Sequence, residues 1–128
     1  MAADAHTRIL LVDDDGPVRG LIRRILPASA FEVIEAESME GALARVATET
    51  SPVDLLLTDV VMAGGMGPEL GRRLRERWPG LPIIYMSGYD RTMVARHGVV
   101  PDDRFLTKPF APQRLRSAVH DALGWPPP

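Results

Sequence analysis

The sequence predicts an α/β fold, a parallel sheet covered by helices on both faces. Three observations carry this expectation. Five short apolar runs alternate with five helical patterns along the chain. The first is a short apolar run, and the third is nearly continuously apolar, as a central strand buried on both faces is. Four of the five stop abruptly at acidic, hydroxyl or lysine-bearing segments. A length of 128 residues suits a single domain with a core that needs no covalent staples.

The first run, residues 8–12 (RILLV), reads as a strand that delivers acids to its C-terminal edge. Gly16 and Pro17 then open a helix, proline being suited to the first helical position. Its Val18, Leu21, Ile22 and Ile25 fall at i, i+3, i+4 and i+7 and are expected on one inward face, and Pro27 stops it. Phe31–Ala36 is the second strand, and its Glu32 and Glu35 put it near a sheet edge. Ser38 caps a helix running to about Thr48, with Leu43, Val46 and Ala47 expected in the core. Residues 53–58 (VDLLLT) form the third strand, apolar enough to be central. A glycine-rich loop over residues 62–67 (MAGGMG) follows, and Pro68 begins a helix that turns Leu70, Leu74 and Trp78 inward. Residues 82–86 (PIIYM) are the fourth strand, and residues 90–97 a short helix with a thin apolar face closed by Gly98. Arg104–Thr107 is the fifth strand. Pro112 starts the last helix, with Leu115, Ala118, Val119, Ala122 and Leu123 on one face and Gly124 and Pro126 at its end. The organisation expected is an N-terminal extension (1–7), one domain (8–123) and a proline-rich C-terminal tail (124–128).

Composition removes several function classes. With no cysteine there is no disulfide, thiol nucleophile or cysteine-held metal. The three histidines are scattered without metal-ligand spacing. Fifteen basic against 17 acidic residues leave a net charge of −2, without a basic footprint for nucleic acid. The longest apolar runs fall far short of the ~18 residues that span a bilayer, and residues 1–7 lack a secretory pattern. A cytoplasmic domain with no nucleic-acid or membrane partner is expected.

The polar strand ends have a chemical logic. In an open doubly wound sheet, ligands sit outside the carboxyl ends of the strands, where the winding reverses. Strand one ends in Asp13, Asp14 and Asp15, strand three in Thr58 and Asp59, strand four in Ser87, and strand five in Lys108. Carboxylates gathered together repel one another, and a hard divalent cation and an ammonium relieve that repulsion. Asp13, Asp14 and Asp59 suit Mg2+, which takes few carboxylates and leaves room for phosphate oxygens. A carboxylate can itself act as a nucleophile and form an aspartyl phosphate. Taken singly, the acidic triplet is a solvated turn, Ser87 a turn residue, Phe105 a core aromatic and Lys108 a surface charge. But Lys108 is the one lysine among fifteen basic residues, and lysine and arginine are not interchangeable.

Four motifs, ILLVDDD (9–15), LLLTDVVM (55–62), IIYMSGYD (83–90) and FLTKPF (105–110), together resemble the receiver domain of two-component response regulators over residues 8–123. The resemblance implies a flavodoxin-like, doubly wound sheet of five strands in the order 2-1-3-4-5. It implies that Asp59 is the phosphoacceptor. Mg2+ would be held by Asp14 and Asp59 directly, by Asp13 through water and by the Val61 carbonyl. Ser87 would bond the phosphoryl group and Lys108 would pair with it. Phe105 matches the aromatic switch position that follows Ser87 inward, and Lys108-Pro109 resembles the family's cis-proline bond. The expected partners are a sensor histidine kinase or phosphotransfer protein as donor, a downstream protein target and a weak second copy of the chain. The Ser-Gly-Tyr after strand four and the glycine-rich loop look similar to receivers attached to hybrid histidine kinases.

The chain departs from the family pattern at Ala63, where a proline is usual, and at Gly64, Gly65 and Gly67, so a mobile loop is expected there. Val61 is apolar where many relatives are polar, which bears on the rate of self-hydrolysis; Asp15 is given no chemistry. Alternatives from other classes remain. A phosphorylation-independent interaction domain would show loss of a site residue, and all are present. A Mg2+-dependent phosphatase would need an acid where Val61 stands, so no turnover of external substrates is expected. A nucleotide- or flavin-binding module would need a glycine-rich loop after strand one.

Overall fold

A computed structural model describes residues 7–62 and 64–128. The expected extension through residue 6, and Ala63, lie outside the described residues. Five parallel strands, β1 (Thr7–Val12), β2 (Phe31–Ala36), β3 (Leu55–Asp59), β6 (Ile83–Ser87) and β7 (Arg104–Thr107), form one sheet in the order β2-β1-β3-β6-β7. Counting only these five, this is the expected 2-1-3-4-5. Alternate residues of one strand feed two separate cores, because successive strand side chains point to opposite faces. Ile9 and Leu11 meet Ile22 and Ile25 of α1 (Gly16–Ile25) and Leu115 and Val119 of α5 (Pro112–Leu123). Leu10 and Val12 meet Ala42 and Val46 of α2 (Met39–Ala47) and Leu70 and Leu74 of α3 (Gly67–Arg77), with Val94 of α4 (Arg91–Val94) in the same cluster. Burial on both faces is why the central strands β1, β3 and β6 contain so little polarity.

Side chains set several boundaries. Ser38 caps α2 by accepting from Gly41 N at 3.0 Å, and Asp90 caps α4 by accepting from Met93 N at 2.9 Å. Asp15, without a role on the sequence, caps α1 by accepting from Val18 N at 3.2 Å. Gly98 (φ +100°) and Gly124 (φ +72°) end their helices in the left-handed conformation that glycine adopts without a Cβ penalty.

Other boundaries and faces differ from expectation. β3 begins at Leu55 rather than residue 53, because the Asp54 carboxylate accepts Arg8 N at 2.8 Å and interrupts the ladder. β3 and β6 run further than expected, to Asp59 and Ser87. Leu21 is 41% exposed. Each helical residue turns the chain by about 100°, so Leu21 sits a quarter-turn from Ile22 and off the buried stripe. Ala47 is exposed next to buried Val46 for the same reason. Trp78 is half-buried, with the Arg77 guanidinium 4.5 Å from its ring centre. The expected glycine-rich loop contains a hairpin, β4 (Val61–Met62) against β5 (Gly65–Met66), with Gly64 at φ +80° in its turn. The expected short helix over residues 90–97 is one α-helical turn followed by a 3-10 turn, Ala95–His97.

At the other end of the sheet from the strand termini, Trp125 stacks on Phe31, with ring centres 5.4 Å apart. His120 meets Trp125 edge-on at 5.1 Å, and its Nδ1 donates to the Pro126 carbonyl at 2.8 Å. Among the described residues, no helix is long and apolar enough to cross a membrane.

Candidate functional site

The chain leaves β1 for the edge strand β2 and returns to β3 on the other side, so the winding reverses between β1 and β3. Asp13 follows the last residue of β1, and Asp59 is the last residue of β3. The topology thus brings two acids from distant parts of the chain to the crevice where doubly wound sheets bind ligands. Carboxylate oxygens of Asp13, Asp14 and Asp59 lie within 4.8 Å of one another. Asp13 is fully buried, Asp59 almost so, and Asp14 faces solvent.

Lys108, just past β7, reaches across to this cluster. Its Nζ lies 2.6 Å from Asp13 Oδ2 and 3.4 Å from Asp59 Oδ1. The other Asp13 oxygen accepts from Asp15 N at 2.9 Å. The Lys108–Pro109 peptide bond is cis, and Lys108 N donates to the Ser87 carbonyl at 2.7 Å. Burial pushes the Asp59 carboxyl up to about 6; the charge on Lys108 pulls it back, and the charge on Asp13 adds to the rise. Burial alone would lower the Lys108 ammonium, but the hydrogen bond to Asp13 and the charge on Asp59 outweigh it and hold the group above its ordinary value.

The remaining expected residues flank this cluster. In the β3–β6 ladder Asp59 pairs with Met86, so buried Ser87 follows one step further along the strand edge; its Oγ accepts from Tyr89 N at 3.0 Å. Val61 opens the hairpin two residues beyond Asp59 and is half-buried. Phe105 is half-buried against the core on the α2–α4 face, and the Arg91 guanidinium sits 5.4 Å from its ring centre.

Three contributors had no role assigned from the sequence. Fully buried Thr58 donates its hydroxyl to the Asp59 carbonyl at 2.9 Å. Gly67 packs so closely on that same carbonyl that a Cβ would overlap it. Arg91 donates to the carbonyls of Val100, Pro101 and Asp103 at 3.3, 3.1 and 2.7 Å, tying α4 to the turn before β7. Thr58 was visible as a polar residue at a strand end and Gly67 as the last glycine of the loop immediately before a helix-opening proline; Arg91 carried no sequence signal.

The donor set fits a hard divalent cation. Three hard-oxygen carboxylates face one ammonium, leaving two negative charges unbalanced, and exposed Asp14 keeps one side open to water or a phosphate oxygen.

The response regulator receiver domain family matches residues 9–120. The chain is a receiver domain. It is 34% identical over 115 residues to the response regulator receiver protein CpdR of Brucella abortus, covering 89% of this chain and 92% of CpdR. The phosphate regulon transcriptional regulatory protein PhoB of Pseudomonas aeruginosa is 38% identical over 111 residues, covering 84% of this chain and 47% of PhoB. This receiver domain therefore spans about half the length of that regulator. Among solved structures, the receiver domain of the hybrid histidine kinase CckA superposes with a TM-score of 0.75 at 34% identity, covering 91% of this chain and 98% of that one. The acidic cluster of Asp13, Asp14 and Asp59 fits the phosphorylation site of such domains.

Proposed function

We propose that this receiver domain takes a phosphoryl group onto Asp59 from the phosphohistidine of a sensor histidine kinase or phosphotransfer protein, and signals by a change in its own conformation. The observation that carries the reading is the bridge from Lys108 to both Asp13 and Asp59 at the edge of three convergent carboxylates. An Asp59 carboxylate oxygen attacks phosphorus, the bond from phosphorus to the imidazole nitrogen breaks, and its electron pair leaves with the imidazole. Phosphoryl transfer asks mainly for positioning and charge neutralisation, and the side chains here supply both. Asp13, Asp14, Asp59 and the Val61 carbonyl would hold Mg2+, whose chemistry is to neutralise charge on the phosphoryl oxygens. Lys108 exchanges its bond to Asp59 for one to a phosphoryl oxygen, and the Ser87 hydroxyl donates to another.

Phosphorylation places roughly −1.5 to −2 charge where a single buried carboxylate stood. Ser87 and Phe105 carry the response, Phe105 following Ser87 inward. The output is contact with a downstream protein target, with weak self-association of the domain. With apolar Val61 two residues after Asp59, there is no second acid for turnover of external substrates. We assign residues 8–123 to the receiver domain, with Thr7 continuing its first strand and Trp125 packing on its second, in a cytoplasmic setting.

Incubation with Mg2+ and acetyl phosphate, followed by intact mass and peptide mapping, tests the reading. One phosphoryl group on Asp59, absent in Asp59→Asn, is expected. No adduct on the wild type, or an equal yield in Asp59→Asn, overturns it.

A further inference from the structure

The backbone that presents the acid pair is fixed from a strand that contributes nothing to the phosphoryl chemistry. Arg19, on the first turns of α1, sends Nη1 to the Asp13 carbonyl oxygen at 2.5 Å and Nε to Glu35 Oε1 at 3.0 Å. Glu35, on edge strand β2, gives its second oxygen to Arg23 Nη1 at 2.8 Å. Arg19 and Glu35 keep only 18% and 27% of their side chains exposed, whereas Arg23 is well exposed. The Asp13 amide in turn donates to the Ala36 carbonyl at 3.1 Å, one residue beyond Glu35. The peptide joining Asp13 to Asp14 is thus held through its carbonyl by a guanidinium, which is itself oriented by a carboxylate on the neighbouring strand.

Such a clamp has an electrostatic drawback. It sets a full positive charge one peptide away from carboxylates that would receive a divalent cation. Glu35 answers this: it orients the fork and offsets its charge, while its second oxygen serves the well-exposed Arg23. We propose that Arg19 and Glu35 act as a paired positioning device for Mg2+ binding, Arg19 fixing the Asp13–Asp14 backbone and Glu35 keeping that cation from repelling the metal. The inference rests on the proposed function only in taking Asp13, Asp14 and Asp59 as the metal-holding set. Partners that orient metal ligands from behind typically change metal affinity by about 10–100-fold when removed. Arginine is suited to this place because its planar fork serves two acceptors at once, which a lysine ammonium on a flexible stem does not reproduce.

The test is calorimetric titration of Mg2+ into the wild-type protein and three variants, with urea unfolding in chelator measured on the same samples. Glu35→Gln keeps the shape and removes the neutralising charge, so Mg2+ affinity should fall about tenfold. Arg19→Lys keeps the charge and loses the fork, and a comparable fall is expected. In the double variant Arg19→Gln with Glu35→Gln the guanidinium nearest the acids is gone and only the well-exposed, solvent-screened Arg23 loses its partner, so affinity should recover part of the way from Glu35→Gln towards wild type. A simple helix-to-strand tie would lower unfolding stability and leave Mg2+ affinity unchanged in all three, and that result overturns the inference. A double variant weaker than Glu35→Gln overturns the electrostatic half. If wild type takes up Mg2+ and is phosphorylated on Asp59 while the variants match it, only this inference fails. If wild type does neither, the reading beneath it fails as well.

Discussion

Asp59 spends most of its existence as a carboxylate in a place that resists charge. Its pKa is raised from 3.8 to about 6, chiefly by burial, against the pull of Lys108. The folded chain therefore keeps this proton to a higher pH than the unfolded chain does, and stability falls as pH rises between about 4 and 6. A shift of that size is worth about 2–3 kcal/mol at neutral pH. In chelator, Asp59→Asn should be the more stable protein at pH 7, and the gap should close on acidification to pH 4. Urea midpoints for both proteins across that range check it; parallel curves would count against the buried-charge account. The neighbouring backbone is equally constrained. A methyl group at Gly67 would meet the Asp59 carbonyl, which belongs to rigid main chain rather than to the end of a flexible side chain. Overpacking of this kind costs about 1–3 kcal/mol. Gly67→Ala should lose that much in urea unfolding and should also bind Mg2+ more weakly, since the displaced atom belongs to a proposed ligand residue.

Among the α-helices, α4 is the least supported. It is a single helical turn, Val94 is its one buried residue, and the 3-10 turn after it buries none. What secures it is Arg91, bonded to three carbonyls of the following turn and lying over Phe105. Arg91→Ala should speed amide hydrogen exchange over residues 94–99 while lowering unfolding free energy by only about 1 kcal/mol. Unchanged exchange there would mean that the carbonyl bonds do not hold the turn. The three central strands were legible because burial on both faces leaves continuous apolar runs, and the edge strands β2 and β7 from their place in the strand–helix alternation. The Ser38 cap was legible because capping is local in sequence. The β4–β5 hairpin was not, because two-residue strands carry no periodicity. Leu21 was misplaced because helical spacing gives a stripe but not its edges. In the site, the acids and Lys108 were visible as polar residues ending apolar runs. Thr58 showed as a polar strand end, though not its bond to the adjacent Asp59 carbonyl; Arg91 acts through carbonyls and a ring that only the folded chain brings near, and nothing in its local sequence marks it.

For the molecule as a whole, the sheet carries its chemistry at one end and an aromatic fastening at the other. Trp125 lies in the segment expected to be a tail, yet it stacks on the first residue of β2 and is met edge-on by His120 of α5. An aromatic pair contributes about 0.5–1.5 kcal/mol beyond the area it buries. Trp125→Ala should therefore cost about 2 kcal/mol in urea unfolding, with Mg2+ affinity unaffected because the acids lie at the opposite strand ends. A cost near zero would mean that the segment merely rests on the sheet.

Lys108 has a consequence for protein chemistry. It is the chain's single lysine, so an amine-selective acylating reagent finds, apart from a chain terminus, one target in the molecule. That target is the cation bridging Asp13 and Asp59, and their hold on its proton suppresses the free amine that acylation requires. Anything that draws either carboxylate away unmasks it. The extent of acylation after a short pulse is then a direct gauge of how often the bridge is broken, read at one residue without altering the sequence.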